Sequence, residues 1–184
     1  QCALHTAFKL GLSPTEADAF FGRPLGLPKT GVFGLYDLIG IDLMADIVKS
    51  LVNILPENDA FHQFSAPIEL MTSMIAKGQT GNKNNKGFYK DDGEEKQVIN
   101  LQNGKYTNYE RLKSSLLEES EREGVKVLLK DPGTIGSFIW QVLSETLCYA
   151  ASLVPDVTDN LTQIDDAMKL GYNWVKRPFE LLDE

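Results

Sequence analysis

Few residues in this sequence are of the types that do chemistry alone. The 184 residues include two histidines, His5 and His62. Neither has a carboxylate at a spacing that suggests an acid–base pair. His62, in Asp59-Ala-Phe-His62-Gln, reads as a surface or loop residue. There is no His-Glu-x-x-His and no Cys/His spacing for zinc, so no metal ligands are assigned. There is no Gly-x-Ser-x-Gly elbow. No Gly-x-Gly-x-x-Gly opens a βαβ unit, and no Walker motif occurs. The segment Gly81-Asn-Lys83-Asn-Asn-Lys86-Gly87 has the glycines and cations of a phosphate loop, but its Lys86-Gly87 order is wrong and it follows a helix. What it offers is a local basic loop, with Lys83 and Lys86 as candidates to hold an anionic group.

The carboxylates point the same way. Glu118, Glu119, Glu121 and Glu123 read as one solvated helix face. Asp37 and Asp183 each fall one turn into a helix that opens on Phe33 or Phe179, where the expected role is a hydrogen bond to a loop amide. Cys2 and Cys148 are too few for a disulfide framework and read as reduced thiols. Asn160-Leu-Thr162 is a sequon of low specificity. By motif logic the chain holds no catalytic residue and no cofactor-binding residue.

Composition sets the frame. The net charge of -8 disfavours nucleic acid and anionic membranes as partners. The most apolar stretch, Gly31 to Val48, carries Asp37, Asp42 and Asp46, each costly inside a bilayer. With no signal-peptide pattern at the start, a cytoplasmic location is expected. The chain begins at Gln1, and its final helix stops after one turn, so a piece of a longer protein is expected.

The elements that must position these residues are almost all helical. Helices are expected over the first 22 residues with a break at Gly11 to Pro14, over 67–77, 108–130 and 134–153, and from a Thr158 cap to about Leu170. Tyr36, Ile39, Leu43, Ile47, Leu51 and Ile54 are spaced 3, 4, 4, 4 and 3. That spacing predicts one long helix from Phe33 to Leu55 with this face in the core. Gly40 then sits mid-helix, which requires a second helix backbone packed close to it. Asn103-Gly104 predicts a two-stranded ribbon near 96–107.

Two segments repeat. Leu12 to Asp18, a Gly/Pro loop and Phe33 to Asp37 match Leu161 to Asp165, a loop around Gly171 and Phe179 to Asp183. The pattern predicts superposable units, with both phenylalanines buried.

These residues carry a resemblance. Asp165-Asp-Ala-Met-Lys-Leu-Gly171 with Pro178-Phe-Glu-Leu-Leu-Asp183 resembles the C-terminal helical domain of 3-hydroxyacyl-CoA dehydrogenases. Glu16-Ala-Asp18, Gly22 to Pro28, Phe33, Asp37 to Asp42, and Gly81 to Tyr89 are similar to a divergent first copy. The sequence departs at Arg177, where the family has glycine, and at Val32-Phe33-Gly34, where it has Pro-Phe-Glu. The resemblance implies an all-α, duplicated helical domain of the 6-phosphogluconate dehydrogenase C-terminal-like type. It would comprise a first repeat at 1–90, a connecting ribbon and charged helix at 91–130, and a truncated second repeat at 131–184. It implies oxidation of 3-hydroxyacyl-CoA with NAD in fatty-acid β-oxidation, with NAD and the catalytic His–Glu pair in a dinucleotide-binding domain outside this chain. The family's active-site Asn would precede Gln1, and its second-repeat counterpart is Gly136. The chain would supply an acyl-CoA cleft wall and a dimer or pseudo-dimer surface. The alternatives are a non-enzymatic helical assembly module and the helical domain of a small hydroxy-acid dehydrogenase.

Overall fold

A computed structural model describes residues 1–182 except 92 and 94. Asp183, paired above with Asp37, lies outside the described residues. The described chain is mostly helical, with one small antiparallel sheet. It divides into two compact units, one built mainly from Ala3–Ala17 and Val32–Leu112, the other from Asp18–Gly31 and the residues from Lys113 onward.

In the first unit, α1 (Cys2–Leu10) ends on Gly11, whose φ of 73° closes the helix in the left-handed region. The next helix, α2 (Pro14–Phe20), opens on a reciprocal cap. Ser13 Oγ accepts from the Glu16 amide at 3.2 Å, and Glu16 Oε2 accepts from the Ser13 amide at 2.9 Å.

The expected long helix is two helices, α3 (Phe33–Ile39) and α4 (Ile41–Ile54). Gly40 separates them with φ 112° and ψ 123°, a conformation reserved for glycine. Its neighbours are also not those expected. A Cβ there would meet Asp42 Oδ1 at 2.9 Å and Lys83 Nζ at 3.4 Å, which are side chains rather than another helix backbone.

The break shifts the phase of α4. Ile41 is buried, and Met44, Ala45, Val48 and Leu51 are half-buried. Of the α4 residues on the expected face only Leu51 turns inward: Leu43 is 49% exposed, Ile47 40% and Ile54 77%. A period carried through a glycine break loses its phase, because the second helix restarts from a new direction.

α5 (Glu69–Ala76) follows and buries Met71 and Met74. The sheet has three strands where two were expected: β1 (Tyr89–Asp91), β2 (Lys96–Ile99) and β3 (Tyr106–Asn108), in that order. Tyr89 pairs with Val98, and Val98 with Thr107. The Asn103-Gly104 turn is present, with Gly104 at φ 69° and its amide on Asn100 O at 2.8 Å. The core of this unit gathers Leu4, Ala7, Phe33, Tyr36, Ile41, Met74, Phe88 and Ile99. Phe33 and Phe88 meet edge to face, centroids 4.7 Å apart.

In the second unit the charged helix starts later than expected, at Ser115. It is α6 (Ser115–Glu123), capped by Ser114, then α7 (Val125–Lys130), divided by Gly124 at φ 83°. The apolar α8 (Thr134–Ser152) buries Phe138, Ile139, Val142 and Leu147. α9 (Leu161–Tyr172) is capped by Asn160, whose side chain accepts from the Thr162 amide. Thr158, expected as the cap, accepts from the Asn160 amide and braces the residue that does the capping. α10 (Pro178–Leu182) buries Pro178 and Leu181.

Candidate functional site

The residues singled out in the first repeat converge on one carboxylate. Asp37 ends α3 and is 2% exposed. Its Oδ1 accepts from the Phe88 amide at 2.8 Å and its Oδ2 from the Tyr89 amide at 2.7 Å. It thereby fixes the start of β1 to a helix 51 and 52 residues earlier. The expectation of a loop-amide partner holds for Asp37. Both oxygens are occupied, which favours the ionised form, but burial outweighs this and pushes the pKa up to about 6.

Close approach is what the glycines of this loop provide. A Cβ at Gly81 would lie 2.4 Å from the Asp37 carbonyl oxygen, and one at Gly87 would lie 2.0 Å from Asp37 Oδ1. Gly81 also needs φ 110°. The motif signals of this segment are therefore its glycines. The lysines between them are engaged. Lys83 Nζ donates to both oxygens of Asp42, at 2.7 and 2.6 Å, and holds that carboxyl below its usual range. Lys86 is half-buried, its ammonium 5.4 Å from the Tyr106 ring centroid. Tyr106 donates to Gly87 O at 2.6 Å, and burial followed by the Asp37 charge pushes its pKa up to about 12.

Sequence reasoning missed two residues here. Asp42 is the partner of Lys83, and only its place in the first turn of α4, where a carboxylate suits the helix dipole, could have drawn attention to it. Tyr36 is fully packed, yet its hydroxyl has no hydrogen-bond partner among the described residues. Burial drives its pKa well above the ordinary phenol value.

In the second unit Asp165 Oδ1 accepts from the Phe179 amide at 3.0 Å, so the repeat's aspartate caps α10. Phe179 is half-buried, not buried like Phe33, because Pro178 and Leu181 take the inward positions of that turn. Gly136 lies against Asp131: the Asp131 carboxylate accepts from its amide at 3.0 Å, and a Cβ would come 1.9 Å from Asp131 O. His5 is partly buried and its pKa is lowered, chiefly by that burial, while His62 is half-buried with Nε2 2.8 Å from Pro56 O. No group of three metal-ligating side chains occurs among the described residues. No helix among the described residues is long and apolar enough to cross a membrane.

The arrangement is that of a helical unit closed by a glycine-flanked loop and a small ribbon. The family model of the 3-hydroxyacyl-CoA dehydrogenase C-terminal domain matches residues 3–91. It is 42% identical over 169 residues to a protein of Rickettsia felis named as a fatty acid oxidation complex trifunctional enzyme, covering 90% of this chain and 23% of the relative. It is 38% identical over 186 residues to the protein of that name from Rickettsia prowazekii, covering 99% and 25%. It is 31% identical over 183 residues to a protein of Bacillus subtilis named as a 3-hydroxyacyl-CoA dehydrogenase, covering 95% and 23%. The chain thus spans about a quarter of the length of these relatives.

Proposed function

We propose that this chain is the C-terminal part of an NAD-dependent 3-hydroxyacyl-CoA dehydrogenase of fatty-acid β-oxidation. The carrying observation is the domain match over residues 3–91 together with end-to-end similarity to proteins named for that activity. The dinucleotide does not fit the residues present. Their one sheet is a short antiparallel ribbon, whereas a dinucleotide crevice needs parallel strands with a glycine-rich turn into a helix. NAD and the proton-abstracting group are therefore assigned to the part of the protein outside this chain, and no catalytic step is assigned to residues here. The chain's role is to form one wall of the acyl-CoA cleft and to bury a dimer or pseudo-dimer face. The same proposal holds the repeats at 1–90 and 131–184, with 91–130 between them, and a cytoplasmic location.

Toward the acyl-CoA phosphates, the chain offers Lys86 and Lys83, the latter only by leaving Asp42. In the full-length enzyme Lys83→Ala with Lys86→Ala should raise KM for acyl-CoA and leave kcat nearly unchanged, the pattern of lost uniform binding. Unchanged KM at low salt removes the lysines from the site. The test of the function itself is NADH formation from 3-hydroxyacyl-CoA by the full-length protein. Absence of turnover would reject the enzyme and favour the assembly-module reading, to which the exposed Leu43, Ile47 and Ile54 already lend support.

A further inference from the structure

Lys83 has a second consequence that is independent of the enzyme assignment. Three features meet where α3 passes into α4. Gly40 has a backbone conformation open to glycine alone, so the direction of α4 is set by one residue. The Ile41 amide donates to Thr80 O at 3.0 Å, which pins the start of α4 but not its length. The Asp42–Lys83 pair lies directly over the bare Cα of Gly40 and ties α4 to the Gly81–Gly87 loop. Beyond this point α4 is lightly held: Ile41 is the buried residue of its fourteen, and the half-buried Val48 and the exposed Val52 line an open groove of about 500 Å³ against Met71 and Ile75 of α5. Few buried contacts place an element at the low-stability end of a fold.

We infer that Gly40, Thr80 and the Asp42–Lys83 pair form a salt-sensitive joint that sets the position of α4 and with it the width of the α4–α5 groove. Both side chains of the pair are partly exposed, at 52% for Lys83 and 36% for Asp42, so dissolved salt reaches them. Asp37, on the far side of the loop, is committed to the Phe88 and Tyr89 amides. With the pair intact the joint is stapled, and with it screened α4 opens more often.

The test is amide hydrogen exchange in the full-length protein, followed in peptides covering 42–54, at about 0.05 and about 0.5 M NaCl. Wild-type α4 should exchange about two- to fivefold faster at high salt, the range available to an exposed ion pair. Lys83→Met and Asp42→Asn should give the fast rate at both salt levels, and Lys83→Arg should restore the salt dependence. Peptides from α5 should not respond. Salt-independent exchange of wild-type α4, a rise spread over the whole unit in the variants, or failure of Lys83→Arg to restore the response would each overturn the joint.

Discussion

Asp37 and Asp165 do the same job at different range. Each sits within a helix and captures backbone amides of a later segment. Asp37 takes two, from residues 51 and 52 positions away, and is sealed by two glycines in contact with it. Asp165 takes one, from a residue 14 positions away. The long-range tie joins a helix to a sheet and can form only once the unit is nearly folded. The short-range tie caps the next helix and needs little else. The long-range tie should be much the more sensitive to change.

The comparison breaks hardest at Gly87. Gly87→Ala puts a methyl group on the Asp37 carboxylate, and neither backbone can retreat without breaking the knot. Thermal or urea unfolding should show a loss of about 3 kcal/mol or more, at the upper end of overpacking. Gly171→Ala is the contrast, with nothing within 4 Å of its Cβ. It should be neutral or slightly stabilising, and a similar loss there would refute the argument from close approach.

Asp37→Asn comes next. The amide keeps one acceptor but faces the second backbone N–H with a donor, so a loss of about 1–3 kcal/mol is expected. The size depends on pH. The folded-state pKa of about 6 lies above the ordinary 3.8, so between these values the folded protein binds the extra proton. The stability contributed by this group is full below about pH 4 and is lost as pH rises through 6. The gap between wild type and Asp37→Asn should therefore be widest below about pH 4 and narrow toward pH 7. A gap that widens with pH would show the two amide bonds outweighing burial.

Asp165→Ala should cost about 1 kcal/mol, the worth of a helix cap, with its unfolding reported by residues 161–182. A cost equal to that at Asp37 would erase the distinction between the two ties. The smallest effect belongs to Tyr36→Phe. Removing a buried hydroxyl without a partner should leave stability unchanged or raise it by up to about 1 kcal/mol. A clear loss would reveal a hydrogen bond to that oxygen.

Much of the local structure was legible. The break at Gly11 to Pro14 and the Asn103-Gly104 turn each depend on residues within one turn of each other. The amide role of Asp37 was also readable from its place one turn after Phe33, although its partners were not. The candidate site was less legible, because its chemistry seemed to reside in the lysines of a basic loop. Nothing in the spacing of Lys83 and Lys86 discloses that Asp42 and Tyr106 hold them. Those partners are 41 and 20 positions away.

What the sequence determined by itself was the helical class and local stops such as the one at Gly11. These follow from propensity, capping and residue type, which act over a few bonds. Only the tertiary structure decided which face of α4 points inward, why Gly81 and Gly87 must be glycine, and that Lys83 staples the Gly40 joint. Each of these turns on a single backbone direction or on contact between distant segments. At Gly40 a φ of 112° rotates the phase of every residue that follows, and a hydrophobic period read along the chain carries no record of that rotation.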